Sequence, residues 1–334
     1  MKKPNDQMQA VLDVHKEMGP LPIESLTGEQ ARQIPLLDRA AVGVYGHSLM
    51  KKAMAPLPPN VGKVENKILP HNLMVRVYTP KGDMPRGGWP GLVYFHGGGW
   101  VIATLDTYDS SCRALCLGAE CVVVSAHYRQ APEHPWPAAI EDAFAAHEWV
   151  VQNAGQLGID GTRIAIGGES AGGNLATVTA LAARDKGAPL PVHQVLVYPV
   201  TDLLAGFNSP SAIENKNAKP LNQAMLSWFY DKYVPEGADR SDPSISPLYA
   251  KLEGLPPTTI ILAEIDPLRT DGEVYARKLE EAGVAVNLKC YEGVTHEFFG
   301  LGGLVSEANK AVAEVSADLR KAFGNETMMQ RLSA

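Results

Sequence analysis

Short runs of consecutive apolar residues recur from about residue 90 onward, with longer stretches of helical periodicity between them. The runs lack the polar alternation of a sheet that faces water, which indicates strands buried on both faces. The predicted strands are Leu92–Phe95, Cys121–Ala126, Arg163–Ile166, Val195–Tyr198, Thr259–Leu262 and Val286–Tyr291. An earlier stretch, Val64–Tyr78, predicts two strands joined around Pro70–Asn72 at an antiparallel edge.

Helical patterns separate these strands. The predicted helices are Pro137–Asn153, Ala171–Lys186, a segment from Thr270 to Gly283, and Ser306–Phe323. The third begins with Thr-Asp-Gly-Glu, which has the form of a capping box. Because strands alternate with helices, the pattern predicts an α/β fold around a mostly parallel sheet.

Two segments do not follow the alternation and read as helical: residues 1–60 and residues 202–245. Long inserts in compact domains tend to be functional, so both are predicted to fold over one end of the sheet as a cap. The alternative is that they are surface helices without a gating role. Residues 61–201 and 246–324 then form the α/β domain, and residues 325–334 are predicted to be a disordered tail.

Composition and charge exclude several classes of protein. The 334 residues are 45% apolar and 20% charged, which suits a large core. The net charge is −7 and no Lys/Arg-rich run occurs, so nucleic-acid and membrane-surface binding are not expected. No apolar stretch approaches the roughly 20 residues needed to cross a bilayer. The N-terminus lacks the pattern of a signal peptide, so a cytoplasmic protein is expected.

Four cysteines fit neither a disulfide framework nor a zinc site. They are Cys112, Cys116, Cys121 and Cys290. We expect plain buried or half-buried thiols. No metal and no cofactor are predicted.

The strongest local motif is G-x-S-x-G, formed by Gly168, Ser170 and Gly172. It follows a predicted strand and precedes a predicted helix, the context in which such a serine is a nucleophile. The turn is sharp and strained, and glycines two residues away on each side remove the steric clash. The serine oxygen then projects above the sheet at a helix N-terminus, where developing negative charge is stabilised.

A glycine-rich stretch, His96-Gly-Gly-Gly-Trp100, follows the strand Leu92–Phe95. Successive glycines let backbone N–H groups turn into a pocket and stabilise a developing oxyanion. The N–H of Ala171, directly after the nucleophile, is predicted as a further donor. A phosphate-binding loop is disfavoured, because no Lys-Ser/Thr follows. His96 is expected to order the loop rather than to transfer protons.

A serine nucleophile needs a base, and in this type of fold the acid and then the histidine follow the serine along the chain. Of nine histidines, His193 and His296 come after Ser170. His193 opens a predicted strand without an acid-bearing strand before it. His296 follows the last predicted strand on a loop, which makes it the predicted base.

Asp266, which follows the strand beginning at Thr259, is predicted to orient the imidazole and stabilise its charged form. Three other carboxylates are alternatives. Glu264 would point to the opposite side of the strand, Asp271 fits a helix cap, and Asp202 follows another strand.

The chain resembles the bacterial hormone-sensitive-lipase family of esterases. Five motifs carry the resemblance, in order: HGGGW, the stretch His127–His134, GESAGGNLA, DPLRTDG and HEFFG. The resemblance implies an α/β-hydrolase fold with a mostly parallel eight-stranded sheet, helices on both faces and a helical cap. It implies a triad of Ser170, Asp266 and His296.

The resemblance also implies that Gly98, Gly99 and Ala171 are the oxyanion donors. It implies hydrolysis of short to medium acyl esters, a small-molecule ester substrate, no cofactor, and a homodimer through an edge strand, with a monomer left open. An amidase or peptidase on the same fold and a non-catalytic binding relative are the alternatives. The chain departs from the family pattern at Glu169, His127 and Gln130, which puts specificity in doubt rather than reaction class.

Overall fold

An eight-stranded sheet with helices on both faces forms the centre of the computed structural model, which describes residues 2–50, 59–205 and 207–325. The strands are β1 (Lys63–Ile68), β2 (Met74–Thr79), β3 (Trp89–Phe95), β4 (Val122–His127), β5 (Ile159–Glu169), β6 (Gln194–Val197), β7 (Thr258–Ile265) and β8 (Val286–Thr295). Their order across the sheet is β1-β2-β4-β3-β5-β6-β7-β8. Pairs from β4 to β8 are parallel, and β1 and β2 form the antiparallel edge. The predicted fold class is confirmed.

The described part of the chain contains α-helices and short 3₁₀ turns between these strands. The helices are α1 (Asp6–Glu17), α2 (Gly28–Ala31), α3 (Leu37–Met50), α4 (Asp109–Gly118), α5 (Ala138–Gln152), α6 (Ala171–Asp185), α7 (Pro210–Glu214), α8 (Gln223–Tyr233), α9 (Arg269–Glu281) and α10 (Ser306–Ala322). The 3₁₀ turns are Ile23–Ser25, Pro70–Asn72, Ala154–Leu157 and Pro247–Tyr249. No helix of the described residues is long and apolar enough to cross a membrane.

The sheet separates two hydrophobic cores. Helices α5, α6 and α9 contribute to one core, and α1, α4 and α10 contribute to the other. Side chains alternate between the two cores along each central strand: on β3, Val93 and Phe95 enter the first core, while Leu92 and Tyr94 enter the second. Burial on both faces explains why these strands read as unbroken apolar runs.

Several predicted details were wrong. The helix expected to start with a capping box at Thr270 begins at Arg269, with Leu268 as its N-cap and without a side-chain cap. Cys290 is exposed on the edge strand β8, whereas the other three cysteines are buried. Strand β8 also continues to Thr295, beyond the predicted end at Tyr291.

The two segments outside the alternation pack against each other above the carboxyl ends of the strands. The Trp228 indole N–H on α8 donates to the Leu26 carbonyl at 3.1 Å. Arg32, which follows α2, donates from Nε to the Val101 carbonyl and from Nη2 to the Ala131 carbonyl, both at 2.8 Å. The N-terminal segment is thereby attached to the loop after β3. The predicted boundary near residue 60 and the predicted tail fall largely on residues 51–58 and 326–334, outside the described residues.

Candidate active site

Ser170 occupies the turn between β5 and α6. Its backbone lies at φ 56° and ψ −117°, a conformation that costs a non-glycine residue free energy. The Ser170 N–H donates to the Val197 carbonyl at 2.9 Å, and its carbonyl accepts from the Asn174 N–H at 3.1 Å. The strained turn is therefore held from both sides, by β6 and by the first turn of α6.

The glycines of the motif are required by close backbone contacts. A Cβ at Gly172 would lie 2.0 Å from the Phe95 carbonyl oxygen, and one at Gly168 would lie 2.4 Å from the backbone of Gly172. Both distances are far below van der Waals contact, so a side chain at either position would displace β3 or the serine turn. The G-x-S-x-G spacing thus reflects backbone crowding on both sides of Ser170.

Three predicted site residues meet at the carboxyl end of the sheet. The His296 Nε2 atom lies 2.9 Å from the Ser170 Oγ atom, and the Nδ1 atom lies 2.6 Å from Asp266 Oδ2. All three residues are buried, with Asp266 fully excluded from solvent. The second carboxylate oxygen of Asp266 accepts from the Leu268 N–H at 2.8 Å, which fixes its orientation. The hydroxyl, imidazole and carboxylate form a continuous hydrogen-bonded chain.

The electrostatics favour a charged imidazole. Burial alone would lower the pKa of His296, but the charge and hydrogen bond of Asp266 outweigh burial and raise that pKa above its ordinary value. An imidazole with this environment is a stronger base toward the Ser170 hydroxyl. The acidic limb of any reaction that needs neutral His296 is therefore expected above the ordinary histidine pKa of about 6.5.

The alternative acids and the alternative base lie elsewhere. Glu264 accepts from Lys2 and from the Gly293 N–H, and Asp202 accepts from the N–H groups that follow it. Asp271 lies within α9. His193 contacts the Thr259 hydroxyl at 2.8 Å, at the amino ends of β6 and β7 and therefore away from the Ser170 turn at the carboxyl end of β5.

The glycine loop after β3 lies beside the serine. Gly98 and Gly99 have φ values of 92° and 57°, and together with Ser170 and His296 they line one cavity. A Cβ at Gly98 would lie 2.3 Å from the Ile102 carbonyl oxygen, and one at Gly99 would lie 2.3 Å from the Phe229 ring. Both glycines are thus required by their conformation and by their close neighbours. Ala171, the third predicted donor, opens α6 directly after Ser170.

His96 and three residues of the His127–His134 stretch order this loop. The buried His96 ring stacks on Tyr128, contacts the Gly97 carbonyl through Nδ1 at 2.8 Å, and contacts His127 through Nε2 at 3.2 Å. Burial and the nearby His127 lower the pKa of His96 to about 3, so it stays neutral. The Gln130 amide donates to the Ile102 and Ala103 carbonyls, at 2.7 and 3.1 Å. Both His127 and Gln130, which depart from the family pattern, are therefore contacts of the loop.

A buried carboxylate lies directly beneath the nucleophile. Glu169 accepts hydrogen bonds from the hydroxyls of Tyr94 and Tyr198. The Tyr198 ring also packs on the His296 ring, with centroids 4.4 Å apart. Glu169 stood out in the sequence as a departure from the family pattern, but neither tyrosine did, because both meet Glu169 only through the neighbouring strands β3 and β6.

Glu169 is expected to make stability depend on pH. Burial, with help from Glu297, raises the pKa of its carboxyl from 4.5 to about 7, and the tyrosine hydrogen bonds oppose the rise. The folded-state pKa lies above the unfolded one, so the folded protein holds this proton more tightly. The unfolding free energy therefore falls as the pH rises from about 4.5 through about 7. Relative to Glu169→Gln, the wild type should lose about 2 kcal/mol of unfolding free energy between pH 5.5 and 8. Denaturant titrations at both pH values measure this difference. The exposed Glu253→Gln variant should follow the wild type, and identical pH slopes for Glu169→Gln would contradict the expectation.

A second carboxylate, Glu297, directly follows His296 and was not identified from the sequence; it is partly buried, with 27% of its side chain exposed. The Tyr108 hydroxyl donates to its two oxygens, at 2.7 and 2.9 Å. Its Oε1 lies 3.8 Å from His296 Nε2. Burial raises the pKa of the Glu297 carboxyl, although His296 and Tyr108 oppose the rise. The only sequence signal was its position next to the predicted base.

The cavity above Ser170 has a volume of about 310 Å³. One wall consists of apolar residues of α8 and the turn before it: Leu221, Met225, Leu226, Phe229 and Tyr230. The opposite wall comes from the N-terminal segment around Ile34–Leu37. The two segments that break the strand–helix alternation thus enclose the site. Across residues 2–50, 59–205 and 207–325, no group of three or more His, Cys, Asp or Glu side chains could hold a metal ion.

Comparisons with known proteins agree with this architecture. A family model described as the α/β hydrolase fold matches residues 92–300. The carboxylesterase NlhH of Mycobacterium tuberculosis is 44% identical over 257 residues, covering 75% of this chain and 79% of the relative. The ethyl acetate hydrolase of Pseudomonas putida is 41% identical over 254 residues, with 75% and 79% covered.

Solved structures extend the similarity to nearly the whole chain. An ester hydrolase from the metagenome of Lake Arreo, complexed with a derivative of bipyridine phosphonate, is 36% identical with a TM-score of 0.84. The match covers 96% of this chain and 99% of that one. An esterase of Pyrobaculum calidifontis is 35% identical with a TM-score of 0.80, over 92% and 97% of the two chains. The chain therefore belongs to the α/β hydrolase family, in its group of esterases related to hormone-sensitive lipase.

Proposed function

We propose that the protein is a carboxylesterase that hydrolyses short to medium acyl esters through an acyl-enzyme on Ser170. The observation that carries the proposal is the unbroken hydrogen-bonded chain from Ser170 through His296 to Asp266, buried at the base of a cavity. Relatives named as carboxylesterases at 42–44% identity support the reaction class.

In the first step, His296 Nε2 takes the hydroxyl proton while Ser170 Oγ attacks the ester carbonyl carbon. Asp266 keeps the Nδ1 proton in place, so that Nε2 is free to accept, and it stabilises the imidazolium. The N–H groups of Gly98, Gly99 and Ala171 stabilise the oxyanion. The imidazolium then protonates the leaving alcohol, and the acyl group stays on Ser170.

In the second step, His296 removes a proton from water as the water attacks the acyl-enzyme. The intermediate collapses, the bond to Ser170 Oγ breaks, and His296 returns its proton to that oxygen. The carboxylic acid leaves, and the hydroxyl is restored.

The walls of the cavity support a substrate of limited size. Phe229 lies directly against Gly99, and Leu226 and Met225 add to the apolar wall of the cavity. A cavity of about 310 Å³ suits an acyl chain of a few carbons with a small alcohol. We also propose that residues 1–60 and 202–245 act as the cap, since both contribute walls to this cavity. The predicted homodimer stays a prediction, with β1 and β8 as the edge strands.

A chain-length series tests the proposal. Nitrophenyl esters from acetate to laurate should be hydrolysed with the highest kcat/KM for short to medium chains, because longer chains exceed the cavity. Nitroanilides of the same acids should react at least about 100-fold more slowly, because the amine must be protonated to leave whereas nitrophenoxide leaves as a stabilised anion. Comparable rates on anilides would favour an amidase. Absence of turnover on every ester, together with no labelling by a fluorophosphonate, would end the proposal and favour a binding role.

A further inference from the structure

The Glu297 carboxylate lies beside the position at which water must arrive to hydrolyse the acyl-enzyme. Its Oε1 atom lies 3.8 Å from His296 Nε2, on the cavity that Ser170 also lines. The Tyr108 hydroxyl holds both carboxylate oxygens. The backbone of Glu297 lies at φ 68°, so a left-handed turn directs this side chain toward the site at a cost in backbone energy.

The two steps of the proposed reaction place different molecules beside Nε2. The leaving alcohol departs from this position in acylation, and water attacks from it in deacylation. An alcohol has a single O–H, which His296 engages. Water has a second O–H, and in a cavity with apolar walls this group requires an acceptor.

The separation of the two acceptors fits a single water molecule. A water oxygen at a normal hydrogen-bond distance of about 2.8 Å can reach acceptors 3.8 Å apart with one O–H directed to each. An alcohol in the same place has no second O–H to donate, so it forms no hydrogen bond to the carboxylate.

We propose that Glu297 is a positioning residue that selects water over alcohols as the acceptor of the acyl group. The inference rests on the acyl-enzyme of the proposed function. The carboxylate accepts a hydrogen bond from the O–H that is not transferred, and it orients the water oxygen toward the acyl carbon. Tyr108 keeps the carboxylate in place.

The proton balance leaves Glu297 unchanged. One water proton passes to His296 Nε2 as the water oxygen bonds to the acyl carbon, and it continues to Ser170 Oγ when the acyl bond breaks. The other proton remains on the product acid. Glu297 neither gains nor loses a proton.

Glu169 provides a matched comparison for this role. It is also a carboxylate next to one of the three site residues, and it also raises the pKa of His296. Its oxygens, however, are held by Tyr94 and Tyr198 beneath the nucleophile. A purely electrostatic role would be shared by both carboxylates, whereas selection of water requires contact beside Nε2.

The test is the partition of the acyl-enzyme between water and methanol. Nitrophenyl butyrate is turned over in buffer with a fixed concentration of methanol, and the ratio of methyl butyrate to butyric acid is measured. We expect Glu297→Gln to raise this ratio about 10-fold, the effect of losing one hydrogen bond to a charged group. The glutamine has one acceptor oxygen, which Tyr108 occupies, and it presents an amide N–H₂ to the water.

Two further variants make the outcome decisive. Tyr108→Phe releases the carboxylate and should raise the ratio in the same direction by about 3-fold, within the energy of one hydrogen bond. Glu169→Gln should keep the ratio within about 2-fold, whatever its effect on the overall rate. Each acyl-enzyme molecule reacts with either water or methanol, so the product ratio does not depend on the fraction of a variant that is folded.

An unchanged ratio in Glu297→Gln would overturn the inference, and so would an equal rise in Glu169→Gln. If Glu297→Gln does not fold, an unchanged ratio in Tyr108→Phe would also overturn the inference. A wild type that forms neither product contradicts the proposed function instead, which keeps the two failures distinct.

Discussion

Replacing Ser170 by alanine is expected to lower kcat for a nitrophenyl ester by about 10⁵- to 10⁶-fold, the scale on which a triad without its nucleophile fails. The alanine lacks the Oγ atom that lies 2.9 Å from His296 Nε2, so no acyl-enzyme can form. The cavity and the N–H groups proposed as oxyanion donors would remain, so slow hydrolysis by water should persist. Steady-state turnover and covalent labelling by a fluorophosphonate measure the loss.

The matched control is Ser125→Ala, a buried serine on β4 away from the triad. It should retain turnover within about 10-fold, because nothing at the reacting atoms changes. Circular dichroism and thermal melting should show that Ser170→Ala keeps the fold. Turnover by Ser170→Ala within 10-fold of the wild type would exclude Ser170 as the nucleophile.

Replacing Asp266 by asparagine is expected to lower kcat/KM at neutral pH by about 10⁴-fold. The asparagine amide would donate to His296 Nδ1, so the ring proton would move to Nε2, the atom that must accept from Ser170. Loss of the carboxylate also removes the effect that raises the pKa of His296. The acidic limb of the residual pH–rate profile should therefore shift to lower pH.

Glu264→Gln is the control for this prediction, since Glu264 lies on the same strand and was an alternative acid. Its oxygens contact Lys2 and the Gly293 N–H rather than His296. The variant should keep kcat/KM within about 10-fold and leave the acidic limb in place. If Glu264→Gln loses more activity than Asp266→Asn, the assignment of the acid is wrong.

Local sequence patterns were sufficient to predict the sheet and the proximity of Ser170, Asp266 and His296. Unbroken apolar runs mark strands buried on both faces, and the carboxyl ends of parallel strands meet at one edge. Gly168 and Gly172 signalled the tight turn at Ser170 through their spacing in the motif, although the crowding at Gly172 comes from the Phe95 carbonyl on β3. Asp266 and His296 follow two adjacent strands, so their order along the chain predicted their proximity.

Contacts between distant elements could not be predicted in this way. Tyr108 and Glu297 are 189 residues apart in the chain, and only the packing of the loop before α4 against the turn after β8 brings them together. Glu169 meets Tyr94 and Tyr198 because β5 lies between β3 and β6. The capping box predicted at Thr270 is absent for the same reason: the Thr270 hydroxyl accepts from the Ser211 N–H at 3.2 Å, and the Thr270 N–H donates to the Ser211 hydroxyl at 2.9 Å.

Arg32 links the N-terminal segment to the glycine loop beside Ser170. Its guanidinium binds the carbonyl of Val101, two residues beyond Gly99, and the carbonyl of Ala131. Removing the N-terminal helices to admit bulkier esters would therefore also release the turn that carries the oxyanion donors. A wider substrate range is better sought by shortening side chains of α8 while the N-terminal segment is kept intact. Arg32 fixes both the wall that limits access and the loop beside Ser170, so removing it would affect both.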